Sequence, residues 1–107
     1  KLVLDNEDRS HSRNPDPALI KAVARAYIWN QKLISGDAKS IRALAREVRV
    51  TKRYGCKLLP LAMLAPEIVE SILDGRQPRH LTLEAIVKAH IPLNWAEQRR
   101  RLGFMAD

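Results

Sequence analysis

Apolar residues recur every three or four positions along most of this chain, which is the spacing of an amphipathic helix. The first such segment begins at Pro17, after the capping residue Asp16, and ends before Gly36. The apolar residues at helical spacing in it are Leu19, Val23, Ala26 and Tyr27. The pattern predicts a helix from Pro17 to about Ile34.

Three more helices follow in the second half of the chain. One begins at Pro66 and stops at Gly75, one runs from the cap Thr82 to about His90, and one follows the cap Asn94 and runs through Trp95 to Leu102. No stretch alternates apolar and polar residues as a strand does. With the two short helices described below, we predict an all-α small multi-helix bundle of six helices, spanning residues 15–107 after a polar tail or linker at 1–14.

The segment from Ser40 to Ala62 has the spacing of a helix-turn-helix. Ser40 is suited to cap a first helix and Thr51 a second one. The apolar residues of the first helix are Ile41, Leu44 and Ala45, those of the corner are Val48 and Val50, and those of the second helix are Leu58, Leu59 and Leu61. We therefore expect two short helices that pack against each other and against the first long one.

Two residues depart from the simplest version of this motif, and a proline marks the end of its second helix. Arg49 stands at the corner, where glycine is common. Gly55 lies inside the second helix, where glycine costs about 0.5–1 kcal/mol relative to alanine, so we expect that helix to be loosely held or to need DNA or a partner to order it. Pro60 cannot donate an amide hydrogen bond, so the second helix should end or kink there.

Positive charge is concentrated on this predicted hairpin. Residues 39–61 contain seven basic residues against one acidic residue, a surplus of six in a chain whose net charge is +7. Such a local surplus is the electrostatic pattern expected of a surface that contacts phosphates. The alternative is a helical hairpin whose charged face is only solvated.

The helix-turn-helix geometry assigns roles to these residues, because the second helix enters the major groove with its N-terminal part on base edges. We expect bases to be contacted by Thr51, Lys52, Arg53, Cys56 and Lys57. We expect phosphates to be contacted by Arg42, Arg46 and Arg49. The predicted partner is double-stranded DNA. Many such motifs bind palindromic DNA as dimers, so a homodimer is a second candidate for the oligomeric state. The sequence shows no heptad repeat that would form a dimer helix.

The sequence from Asn14 to Phe104 resembles the C-terminal region of some bacterial and phage serine-type site-specific recombinases. The resemblance rests on SIRALAREVRVTKRYGCKLLPLAMLAPEIVESILDGRQP, from Ser40 to Pro78, and on IPLNWAEQRRRLGF, from Ile91 to Phe104. The first half is also similar to the helix-turn-helix domain of partition proteins of the ParB and KorB kind. Both families imply DNA binding, and the first implies DNA recombination in a bacterial cytoplasm. The chain begins at Lys1, so we expect it to be part of a longer protein.

Other classes of function find little support in the sequence. There is no GxxxxGK, HExxH or GxSxG motif, and the acidic residues are scattered, so we expect no catalysis. His11, His80 and His90 lack the spacing of a zinc site, and we expect no metal, cofactor, small-molecule ligand or membrane contact. Trp29 and Trp95 are predicted core residues. The main alternative to DNA binding is a protein-interaction module in which the helices after Pro66 form a dimerisation or docking surface.

Overall fold

Helices account for nearly all the regular structure of residues 14–104, the part of the chain that this computed structural model describes. The helices are α1 (Pro17–Ser35), α2 (Ile41–Glu47), α3 (Lys52–Leu58), a 3-10 helix (Leu59–Met63), α4 (Pro66–Asp74), α5 (Leu83–Lys88) and α6 (Trp95–Leu102). No strand occurs within this range. The predicted all-α bundle with six α-helices is confirmed.

The predicted helix boundaries are confirmed to within two residues because the caps form as expected. The Asp16 carboxylate accepts hydrogen bonds from the amides of Ala18 and Leu19 at the start of α1. At the other end of α1, Gly36 adopts φ 87°, the left-handed conformation that glycine takes without steric cost. The largest difference is at α5, which ends at Lys88 rather than His90.

The main core lies between the first half of α1, the end of α3 and the segments that follow it. Its buried members are Leu19, Ala22, Val23, Ala26, Leu58, Leu61, Leu64, Ala65, Ile68, Ile72, Leu81, Ile86 and Leu102. The 3-10 helix packs along α1 and contributes Leu61, which is fully buried. Burial of these apolar side chains provides the main driving force for the fold.

A second, smaller cluster joins the hairpin to the second half of α1. Its buried members are Trp29, Leu44 and Ala45, with Val48, Val50 and Leu59 among the partly buried residues around them. The long helix α1 thus contributes to both clusters, and it supports α2 and α3 through the buried Trp29 and the partly buried Leu33.

A buried glutamine connects α6 to the segments before α4 and α6. The side chain of Gln98 is fully buried. Its Oε1 accepts a hydrogen bond from the amide of Ala65 at 2.8 Å, and its Nε2 donates to the carbonyls of Met63 at 3.0 Å and Pro92 at 2.8 Å. These hydrogen bonds, one buried and two partly buried, satisfy three backbone groups.

Two apolar residues predicted for inner faces lie on the surface instead. Tyr27 is 39% exposed and Trp95 is 49% exposed, so the prediction of Trp95 as a core residue was wrong. Trp95 is the first residue of α6, and the buried face of that helix begins only one turn later, at Gln98. Residues 1–13 of the predicted tail lie outside the described residues, as does His11. Asn14, the last residue of that tail, donates a backbone hydrogen bond to the carbonyl of Gly75.

Candidate nucleic-acid interface

Both helices of the α2–α3 hairpin have a side-chain cap at the N-terminus. The hydroxyl of Ser40 accepts a hydrogen bond from the amide of Ala43 at 3.1 Å, which caps α2. The hydroxyl of Thr51 accepts from the amide of Tyr54 at 3.0 Å, which caps α3. Both side-chain caps predicted for this segment are therefore present.

The corner between the two helices is a Schellman motif with arginine at its left-handed position. The amide of Val50 donates to the carbonyl of Ala45 at 3.0 Å, and the amide of Arg49 donates to the carbonyl of Arg46 at 3.1 Å. Arg49 has φ 63°, the one positive φ at a non-glycine residue in the described part of the chain. An L-residue pays a steric cost in this conformation, which explains why glycine is commoner at such corners.

Gly55 lies on the buried face of α3. It is buried, and a Cβ atom at this position would lie 3.2 Å from Cζ3 of Trp29, 3.3 Å from Cγ2 of Ile41 and 3.5 Å from Cβ of Ala45. The glycine thus has a packing role, because it allows α3 to contact the indole of α1 directly. We expected Gly55 to leave α3 loosely held, whereas the structure places it in close packing against Trp29, Ile41 and Ala45.

The basic residues of the hairpin are all exposed and have no acidic partner among residues 14–104. Those in this group are Lys39, Arg42, Arg46, Arg49, Lys52, Arg53 and Lys57. None of them takes part in the salt bridges found among residues 14–104. Within the described part of the chain, no carboxylate neutralises these charges, so they can contact an anionic partner.

The predicted site residues occupy three parts of one hairpin. Arg42 and Arg46 lie one turn apart on the exposed face of α2, and Arg49 lies at the corner. On α3 the exposed residues are Lys52, Arg53, Cys56 and Lys57, with Thr51 directly before them. Because the hydroxyl oxygen of Thr51 already caps α3, we assign Thr51 a structural role as well.

The arginines of α6 differ from those of the hairpin because acids lie beside them. Arg99 pairs with Glu67 at 3.0 Å, Arg100 with Glu97 at 2.8 Å, and Arg101 with the same Glu97 at 3.5 Å. Three consecutive positive charges in the sequence are thus partly neutralised in the fold. The hairpin remains the main positive surface of the described residues.

The structure contains a groove beside α3 that the sequence did not predict. It has a volume of about 590 Å³ and lies between α3 and α5. Its lining residues are Thr51, Arg53, Tyr54, Lys57, Leu83, Glu84, Val87 and Lys88. The amphipathic pattern of α5 predicts a helix but carries no information about which other helix lies beside it.

The described residues contain no group of three or more His, Cys, Asp or Glu side chains arranged to hold a metal ion. Within the same range, no helix has both the length and the apolar character needed to cross a membrane.

Comparison with known proteins identifies no relative of this chain. No family model matches it, and searches of curated proteins and of solved structures also found no match.

Proposed function

We propose that this domain binds double-stranded DNA through a helix-turn-helix formed by α2 and α3. The observation that carries the proposal is the concentration of seven exposed basic residues, without acidic partners among residues 14–104, on a single capped hairpin. In this arrangement α3 provides base contacts from Lys52, Arg53, Cys56 and Lys57. Its cap Thr51 lies beside them, and the arginines of α2 and the corner contact phosphates.

We further propose that the domain is the DNA-recognition module of a site-specific recombinase or a related mobile-element protein. This part rests on the resemblance of residues 14–104 to the C-terminal region of serine-type recombinases. A partition-protein-like DNA-binding domain is the alternative that the first half of the sequence supports. Both share the same interface and differ in the DNA sites they would bind.

A protein-interaction module is the competing function, and exposed apolar residues favour it. Leu93 is 77% exposed and Met63 is 42% exposed, and both line a shallow groove that also includes Cys56. The groove borders α3, so a partner there and DNA would compete for neighbouring surfaces.

A salt titration of DNA binding tests the proposal. If the surplus of six positive charges on the whole hairpin neutralises about six phosphates, the slope of log affinity against log salt is near −5. A slope near −1 would contradict the use of the whole basic hairpin. Comparison of random duplexes with DNA flanking the source gene measures sequence preference. Steep salt dependence with a preferred sequence supports specific recognition.

Two triple variants, each of which loses three positive charges, test whether α3 is the recognition helix. Lys52→Ala, Arg53→Ala and Lys57→Ala together should abolish binding while leaving the oligomeric state unchanged. The control, Arg76→Ala, Arg100→Ala and Arg101→Ala, removes three arginines that are already paired with Asp74 or Glu97. Equal affinity of the two triple variants would reject α3 as the recognition helix.

A further inference from the structure

The groove between α3 and α5 combines an apolar floor with a charged rim. Tyr54 of α3 and Leu83 and Val87 of α5 are partly buried residues that line it. The rim carries Arg53 and Lys57 from α3, which are two of the proposed base-contacting residues. The groove is therefore continuous with the proposed DNA-binding surface.

The α5 side of this groove contributes one cation and one anion. Lys88 and Glu84 lie one turn apart, with 3.2 Å between Nζ and Oε2, and their side chains are 72% and 78% exposed. Exposed pairs of this kind are weak and open at little cost. Lys88 can therefore leave Glu84 when a stronger anion approaches. The rim of the groove has three cations and one anion.

We propose that α5 is the second wall of the DNA interface, with the sugar–phosphate backbone of one strand lying in the groove and Lys88 contacting a phosphate. This inference rests on the proposed function of α3. A duplex that contacts Arg53 and Lys57 brings its backbone to the edge of the groove. The apolar floor faces the deoxyribose carbons, and Lys88 on the α5 side faces a phosphate, while Arg53 and Lys57 on the α3 side reach toward the bases.

The same geometry assigns a weakening role to Glu84. Its carboxylate lies on the rim of a groove that receives phosphates, so like charges approach each other when DNA binds. Glu84 also holds the ammonium of Lys88 in the free protein. Glu84 thus lowers affinity for any duplex, while Lys88 raises it.

Two single substitutions with opposite expected effects test this proposal. Binding of a short, labelled random-sequence duplex is followed by fluorescence anisotropy across a salt series. Lys88→Ala should weaken binding about fivefold and make the salt slope less steep by about 1. Glu84→Gln should strengthen binding about two- to threefold through loss of one repulsive charge. Circular dichroism verifies that both variants are folded.

The control is Arg76→Ala, which removes an exposed arginine paired with Asp74 at the end of α4. Its affinity should equal that of the unmodified chain. If Lys88→Ala and Glu84→Gln both leave affinity unchanged while the α3 triple variant loses binding, the groove proposal is rejected and the proposed function stands. If the α3 triple variant also binds normally, the proposed function fails and this inference fails with it.

Discussion

Gly55 of α3 faces the indole of Trp29 so closely that a methyl group on its Cα would lie 3.2 Å from Cζ3. Trp29 is itself buried, at 4% exposure, in the cluster that supports the hairpin. A side chain at residue 55 would therefore require Trp29 and Ile41 to move by a few tenths of an ångström.

Gly55→Ala should destabilise the protein although alanine favours helices. The gain in helix propensity is about 1 kcal/mol, whereas forcing a methyl group into a packed contact costs about 1–3 kcal/mol. We expect a net loss of about 1 kcal/mol in the free energy of unfolding, measured by urea denaturation. In a Trp29→Phe background the smaller ring should reduce this loss. A Gly55→Ala protein that is more stable than the parent would contradict the packing role.

Two substitutions of Arg49 separate its effect on stability from its effect on DNA binding. Arg49→Gly and Arg49→Ala both remove a charge, but only glycine relieves the steric cost of φ 63°. We expect the glycine variant to be more stable than the alanine variant by about 1 kcal/mol. Both should make the salt slope of DNA binding less steep by the same amount, about 0.9. Unchanged slopes would exclude Arg49 as a phosphate contact.

Gln98→Leu should cause a large loss of stability. Leucine fills a similar volume but leaves the amide of Ala65 and the carbonyls of Met63 and Pro92 without their partner. An unsatisfied buried polar group costs about 1–3 kcal/mol, so we expect a total loss of about 3 kcal/mol in chemical denaturation. Gln31→Leu, at an exposed position of α1, is the control and should change stability little. A small effect of Gln98→Leu would mean that water replaces the amide.

Substitutions at Thr51 test whether its side chain caps α3, contacts a base, or does both. Thr51→Ala removes the acceptor for the Tyr54 amide and should cost about 1 kcal/mol of stability. Thr51→Ser retains the hydroxyl and should restore most of it. If the serine variant restores stability but its DNA affinity stays low at the preferred sequence, the methyl group of Thr51 contacts the DNA. Equal stability of the alanine and threonine proteins would argue against the cap.

The sequence by itself determined the helices of this protein. Asp16, Ser40, Thr51, Thr82 and Asn94 cap helices as predicted, because a cap involves only residues two or three positions apart. The apolar spacing within each segment likewise predicted the buried residues Leu19, Leu44 and Leu58. The clustering of basic residues on the hairpin was also visible, since it needs only the order of residues.

Contacts between distant segments were decided by the tertiary structure alone. The sequence shows a glycine at position 55 but not the indole that packs against it, and a glutamine at position 98 but not the carbonyls it binds. The same holds for the exposure of Trp95 and for the position of α5 beside α3. Helix periodicity is set by hydrogen bonds four residues apart. The partner of each apolar face is set by how all the helices pack at once, and no local pattern contains that information.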